Sequence, residues 1–379
     1  MSIVSDTFAL WAQNGTQSTQ APESHSSITV EAPTISIEGK EAAIYAFSNS
    51  EINVTGNATI KGGSALIDAR GNASVNINRD NSNATTVLEG DIVFETPNVG
   101  GGNSNSSGNL INAFVNINLS GEGSSWTGRS YQSYKYVDAS NVTVTVVTSE
   151  IGKNPDYFGQ VSGFVLSVAK GAKWETTGDS FANVLNMDSG NLSLAADSVL
   201  YTNDFIVAGD SNTINFGNGA NINGTIEDQG TLYMTGDVSS FTGVLNVMGK
   251  ASVGLTAEEA SETLNPMQGS VLVVKAGTTL NGSTSVGSSA SATSNGSSLS
   301  VLSDGTLAIV ATDDYTEGTP LVTVGTASTE DGSTVKLVNA VKIADGTTVF
   351  ATSDGSAPSE YSLVTDNLLK VVENNQIVS

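Results

Sequence analysis

The 379-residue chain contains no cysteine, a single histidine (His25), and only 14 lysines and arginines against 38 acidic residues. Each shortage excludes something. Without thiols there is neither a disulfide framework nor a thiolate metal site, and one imidazole is too few for an ordinary zinc site. Stability therefore has to come from packing and backbone hydrogen bonding, and no metal or cofactor is expected. The net charge is −24 and the arginines number three, Arg70, Arg79 and Arg129. Phosphate backbones and anionic lipid surfaces need clustered cations, so nucleic acid is not an expected partner. Long apolar runs are missing too. No window approaches the ~20 residues of a membrane-spanning helix, and the opening MSIVSDTFALWAQNGTQ lacks the basic and apolar regions of a signal peptide.

What is present points to strands and turns. Hydrophobic residues make up 38% of the chain, enough to bury a core, while charged residues are only 14% and glycines number 40. Short bursts alternate apolar with polar: SVNIN (74–78), FVNINLSG (114–121), VTVTV (142–146), NLSL (191–194), TLYMTG (231–236), VLNVMG (244–249) and TVKLVNAVKIADG (334–346). Such alternation makes a strand with one buried side. Gly, Asn and Asp separate the bursts and supply tight turns. No amphipathic helices are interposed, which leaves a sandwich, a barrel or a solenoid.

A repeated device selects among these. INLSGEGSSWTG (117–128) and LYMTGDVSSFTG (232–243) share Gly, acid, any residue, Ser, Ser, aromatic, Thr, Gly. A fixed device recurring at long range suits a stack of similar coils, here of roughly 23 residues each. In a parallel β-helix an inward aromatic stacks on its neighbours in adjacent coils, so Trp126 and Phe241 are expected inside with the flanking glycines at corners. One helix is expected at LTAEEASETLNP, where Thr256 and Glu259 form a capping-box pair and Asn265 with Pro266 ends the run. The expected organisation is a lead-in or cap over 1–27, a β-helical stalk over 28–255, a short helix and boundary over 256–268, and a β-rich region over 269–379 that continues or caps the stalk.

The stretches GTLYMTGDVSSFTGVLNVMGKASVGL (230–255) and GAKWETTGDSFANVLNMDSGNLSL (171–194), in this Gly/Asn/Ser/Thr-rich, cysteine-free background, resemble the passenger regions of autotransporter adhesins of Gram-negative bacteria. The resemblance implies an all-β, right-handed parallel β-helix with a less regular β-rich C-terminal part. It also implies a non-catalytic segment, secreted and displayed at the cell surface, that presents binding loops to host or bacterial surface proteins or glycans. Family members carry a signal peptide before this region and a membrane barrel after it, so an excised, non-inserted passenger segment is expected.

Several residues carry chemistry in principle. GDS at 178–180 and 209–211 matches the nucleophile block of an esterase family, but the nucleophile needs a downstream base and His25 lies far upstream; Gly-Asp turns explain both. Asp313, Asp314 and Glu317 are close enough for a weak calcium site or form an exposed acidic turn. The enzymatic alternative is a β-helical polysaccharide lyase or depolymerase, seeded by Asp68, Arg70, Arg79 and Asp80, for which a surface ion pair is the competing account. About a dozen Asn-x-Ser/Thr sequences, among them Asn53, Asn57, Asn118, Asn141 and Asn223, follow from composition.

The binding candidate is WTGRSYQSYKYVD, which gathers Arg129, Tyr131, Tyr134, Lys135 and Tyr136 in a chain that is only 6% aromatic. Tyr and Arg favour interfaces because each joins a flat surface to a polar tip. The departure from the repeat after Gly128 suggests a loop extruded from the stalk, and a tyrosine-rich strand packing on the next coil is the competing account.

Overall fold

A computed structural model describes residues 1–13, 25–99, 113–137, 143–150, 163–293, 296–358, 361–366 and 370–379. The structure is all-β, 58% strand and 4% helix, with a large parallel sheet of many strands. It divides into two compact units, Met1–Asn186 with Gly190–Ser193 and Val199–Asn203, and Asp204–Ser379 with Met187–Ser189 and Leu194–Ser198.

In the first unit, Ser2–Ser5 pairs in parallel with the end of Ser26–Gly39, which pairs with Ser50–Gly62; that strand in turn pairs with both Ser74–Ile77 and Thr86–Glu89. The parallel ladder thus takes in Ser2–Ser5, within the stretch 1–27 expected to be a lead-in or cap. Partners are spaced close to the expected coil: Ser26 with Ser50, Glu51 with Ser74, Ala58 with Thr86. Where extra chain is inserted the step lengthens, as from Val115 to Phe164. A second sheet runs through Phe8–Gln13, Ala42–Phe47, Ala65–Arg70, Ile92–Val99 and Ser130–Val137, all parallel, and ends on antiparallel Thr143–Thr148.

Parallel in-register pairing stacks like on like. Ile52, Val75, Val115 and Phe164 form one fully buried column, each such side chain contributing about 1.5–3 kcal/mol by leaving water. One position along, Asn53, Asn76 and Asn116 form an amide ladder: Nδ2 of Asn76 donates to Oδ1 of Asn53 (2.8 Å) and Nδ2 of Asn116 to Oδ1 of Asn76 (2.9 Å). A one-residue slip would exchange the two columns, so the alternation fixes the register. Turns are closed by residues that tolerate positive φ. Gly56 (φ 136°) lies so close to Ala32 that a Cβ would fall 1.8 Å from its carbonyl oxygen, and the carboxamide of Asn78 grips both Gly56 N–H (2.9 Å) and Gly56 C=O (2.8 Å).

In the second unit the same pairing runs through Thr231–Gly236, Lys250–Val253, Ser270–Lys275, Gly305–Val310, Thr334–Val338 and Ser362–Thr365. The expected helix is Ala257–Leu264, with the capping box formed: Glu259 N–H donates to the Thr256 hydroxyl and Thr256 N–H to the Glu259 carboxylate. It buries Ala260 and Leu264 against Leu255, Val271, Val273 and Tyr233. Because Lys250 and Val271, on either side of it, are direct partners, the helix is an excursion within the ladder rather than a break in it. Among the described residues no helix is long and apolar enough to cross a membrane.

Trp126 and Phe241 are both buried, as their matched contexts predict. Trp126 sits between Leu88 and Trp174 in the ladder, whereas Phe241 follows a short 3-10 turn, Val238–Ser240.

Candidate functional site

The chemistry-bearing residues singled out in the sequence are dispersed. Ser180 is buried and donates to Gly178 C=O (3.0 Å), while the Asp179 carboxylate accepts Val199 N–H (2.9 Å). His25 lies 3.6 Å from Glu51. The carboxylates of Asp313 and Asp314 face Lys342 (2.7 Å) and Lys275 (2.6 Å), and Glu317 is exposed. The Lys275 hydrogen bond, helped by Thr312, lowers the Asp314 pKa to about 2. Two lysines therefore occupy the place a cation would take, and no group of three metal-binding side chains occurs among the described residues. Of the glycan-acceptor sequences, Asn53 is committed to the amide ladder and Asn57 accepts Thr85 N–H (2.9 Å), Asn223 is exposed, and Asn141 lies outside the described residues.

The segment after Gly128 is a strand, Ser130–Val137, as the tyrosine-rich-strand account has it, and not an extruded loop. It pairs on one side with Ile92–Val99 and on the other with Thr143–Thr148, so its backbone groups are satisfied within the sheet. The Ser130 hydroxyl, buried, accepts Phe181 N–H (3.1 Å) and donates to Phe181 C=O, which anchors the strand's start. Tyr134, Lys135 and Tyr136 lie in this strand; their side chains are outside the described residues.

The sheet does bring the other two candidates to one face. Along one row of register partners stand Trp11, Tyr45, Asp68, Val93 and Tyr131; along the next stand Gln13, Phe47, Arg70, Glu95 and Ser133. Phe8, Trp11 and Tyr45 make a ring cluster with centroids 4.7 to 5.6 Å apart. Arg70 lies over Tyr45 at 5.1 Å and Arg129 over Tyr131 at 4.6 Å. Arg70 binds Asp68 through two hydrogen bonds (2.8 and 2.7 Å) and Glu95 at 2.5 Å; Arg129 binds Asp91 at 3.1 Å. Phe8 and Tyr131 pack on the small cluster of Ala42, Ala65 and Val93. Arg79 and Asp80, by contrast, form an exposed pair 4.0 Å apart.

Electrostatics hold these groups in one state. For Arg70, burial works against the charge, but the hydrogen bond to Asp68 and the charges of Asp68 and Glu95 outweigh it and the pKa rises. Burial raises Tyr45, and Arg70 only partly offsets this; burial and Asp91 raise Tyr131. Both phenols therefore stay protonated donors at neutral pH.

No family model, curated protein or solved structure matches this chain.

Sequence reasoning missed Phe8, Trp11, Tyr45, Asp91 and Glu95. A signal existed: FALWAQ and AAIYAF are apolar on both faces, unlike one-sided strands such as FVNINL and NLSL.

Proposed function

We propose that this chain is a non-catalytic adhesin or stalk segment of an autotransporter-like secreted protein, displayed at the bacterial surface and binding surface proteins or glycans. The scaffold we propose is a right-handed parallel β-helix that continues in a less regular β-rich form over 269–379. The observation that carries this is the parallel pairing itself. Strand after strand pairs in register with one about a coil further on, and the ladder commits its polar side chains to amide columns, turn clasps and ion pairs.

A lyase or depolymerase is the second reading, favoured by the convergence of Asp68, Arg70 and Glu95 beside Tyr45. Proton abstraction next to a uronic acid needs a group that sheds its proton readily. Arg70 and Tyr45 are both shifted the other way.

The test is paired. The full chain is incubated with a panel of glycans while released reducing ends are measured, and beads coated with it are offered to cells. Attachment without turnover is the expected outcome; robust turnover overturns the adhesin reading.

A further inference from the structure

We propose that the outer face of the strands Ser50–Gly62, Ser74–Ile77 and Phe114–Leu119 binds a neutral oligosaccharide, stacked on Phe114 and hydrogen-bonded by the two ends of the amide ladder, Asn53 and Asn116. Its biological use rests on the adhesin reading.

Phe114 is 49% exposed, while Val115 and Ile117 in the same strand are buried. Its register partners are Ser74 on one side and Gly163 on the other. The glycine makes room for the ring: a Cβ on Gly163 would fall 2.5 Å from Phe114 Cδ1, so the ring lies across the glycine. A glycine in a strand often marks the close approach of another group. Seated in this way, the ring is held while about half of the residue stays in water, and among the described residues it meets no other aromatic ring and no cation. An exposed apolar residue needs no explanation by itself. What singles out Phe114 is the polar row beside it.

In that row Asn53, Asn76 and Asn116 share two hydrogen bonds that run the same way, each Nδ2 donating toward the earlier strand. A run of this kind has two unused ends. Nδ2 of Asn53 and Oδ1 of Asn116 have no hydrogen-bond partner among the described residues, and the bonds between them hold both amides in place. Groups ordered before a ligand arrives lose less freedom when it binds. The two ends stand two strands apart, which at ~4.8 Å per strand is about 10 Å, the length of about two pyranose rings. One end donates and the other accepts, and sugar hydroxyls do both.

Backbone pairing and charge select the partner. Ser74–Ile77 and Phe114–Leu119 have ladder partners on both sides, so the backbone offers no edge to an extended peptide. The row of Phe114 contains Ser27, Glu51, Ser74 and Gly163, and the amide row adds Thr29 and Val165, with no lysine or arginine in either. Glu51 accepts from Asn76 Nδ2 (3.4 Å) and lies 3.6 Å from His25. A sulfate or uronate would meet that carboxylate in a chain whose net charge is −24. A neutral sugar meets no such repulsion. Its hydroxyls bond the amide ends, and its C–H face lies on the aromatic ring, whose negative face attracts polarised C–H groups.

The full chain is titrated with di- to tetrasaccharides of glucose, xylose, mannose, galactose and N-acetylglucosamine, with sulfated and uronic acid oligosaccharides and an aromatic-rich peptide alongside. The readouts are calorimetry and saturation-transfer NMR. The expected result is that at least one neutral series binds, that Phe114→Ala weakens it by about tenfold or more, and that Asn53→Ala and Asn116→Ala each weaken it by about fivefold. Phe114→Tyr keeps the ring and should keep the binding. Trp11→Ala, which removes an exposed ring on the other sheet, should leave it unchanged. Phe114 lies outside the buried core, so the melting transition of Phe114→Ala should stay in place and lost binding is not lost folding. Binding confined to acidic sugars or to the peptide overturns the proposal, as does no binding at all. Neutral binding that survives Phe114→Ala or both amide substitutions, or that Trp11→Ala abolishes, overturns it too. The bead assay separates the two claims: attachment to cells without neutral-sugar binding removes this site and leaves the adhesin reading standing, while sugar binding without attachment does the reverse.

Discussion

The two copies of the Gly-acid-x-Ser-Ser-aromatic-Thr-Gly device become different structures. In the first, Ser125–Thr127 is a strand, and Trp126 stacks on Trp174 at 4.8 Å and 7° while its indole N–H donates to Gly90 C=O (2.9 Å). In the second, the serines form a 3-10 turn and Phe241 meets Phe216 edge-on at 6.0 Å. The acids differ too. Asp237 is short enough to accept Gly219 N–H (3.0 Å) and the hydroxyls of Ser239 (2.6 Å) and Ser240 (2.9 Å), which pull the turn tight. Glu122 is exposed, and it is the hydroxyl of Ser124 that is buried, accepting Thr86 N–H (2.9 Å). The shared letters therefore encode a corner with an aromatic inside it. Whether the corner is strand or turn is decided by what the acid can reach and by what lies above and below the aromatic.

The sharpest break of this comparison is truncation of each aromatic. Trp126→Ala should cost about 3–5 kcal/mol, near the upper end, because it leaves a cavity between Leu88 and Trp174 and frees Gly90 C=O of its donor. Phe241→Ala should fall near the lower end, since Phe241 has one edge contact and no polar bond to lose. Denaturant midpoints of the two variants measure this, and equal losses would mean the two corners are energetically alike.

Next in size is the position two residues beyond the final glycine, Ser130 in the first copy and Leu245 in the second. Leu245 is an ordinary core residue, but Ser130 clasps both backbone groups of Phe181. Ser130→Ala should therefore cost about 1–3 kcal/mol despite removing a single atom, because it strands buried polar groups. A loss within measurement error would show that the clasp contributes nothing.

A third contrast concerns polar residues inside the columns. Asn76 is bonded to the amides above and below it. Asp228 lies in a column with Val207, Val247 and Val286, and its Oδ2 has no partner. Burial raises its pKa well above the ordinary carboxylate value, and the hydrogen bond from Gly230 N–H opposes this only in part. The folded state thus holds a proton that the unfolded chain releases. Its contribution is complete below the unfolded pKa and falls as pH rises toward the folded one, by up to about 1.4 kcal/mol per pH unit. Asp228→Asn should match the parent near pH 4 and exceed it by about 1 kcal/mol or more near pH 8. Denaturation at both pH values checks this, and a constant difference would show that Asp228 does not titrate with folding.

Much of the first unit's ladder can be read directly from SVNIN and FVNINLSG, because alternate residues stack wherever strands pair in parallel: Val75 on Val115, Asn76 on Asn116. The helix was equally legible, since Thr256 and Glu259 act within one turn. The aromatic face was not. Trp11, Tyr45, Asp68, Val93 and Tyr131 form one row only because the strands between them are joined by connections of unequal length. No fixed period in the sequence links them. For the same reason the sequence shows Tyr131 only as part of a local tyrosine cluster, whereas among the described residues it meets Arg129 and the floor of Ala42, Ala65 and Val93.

The smallest effect tests the acid of the second corner. Asp237 is only partly buried, and its carboxylate accepts from Gly219 N–H and from Ser239 and Ser240, bonds that lower its pKa. A depressed carboxylate contributes stability above the unfolded pKa and loses it as pH falls through the folded one. Asp237→Asn should therefore lower the midpoint slightly at pH 7, and the deficit should shrink as the pH falls through the folded-state pKa, where the parent takes up its proton as well. Glu122→Gln in the first corner, which has no such turn to hold, should leave the midpoint unchanged over the same range. If the two substitutions behave alike, the acid of the device is a solvated surface charge in both copies, and the difference between strand and turn is set by the aromatics alone.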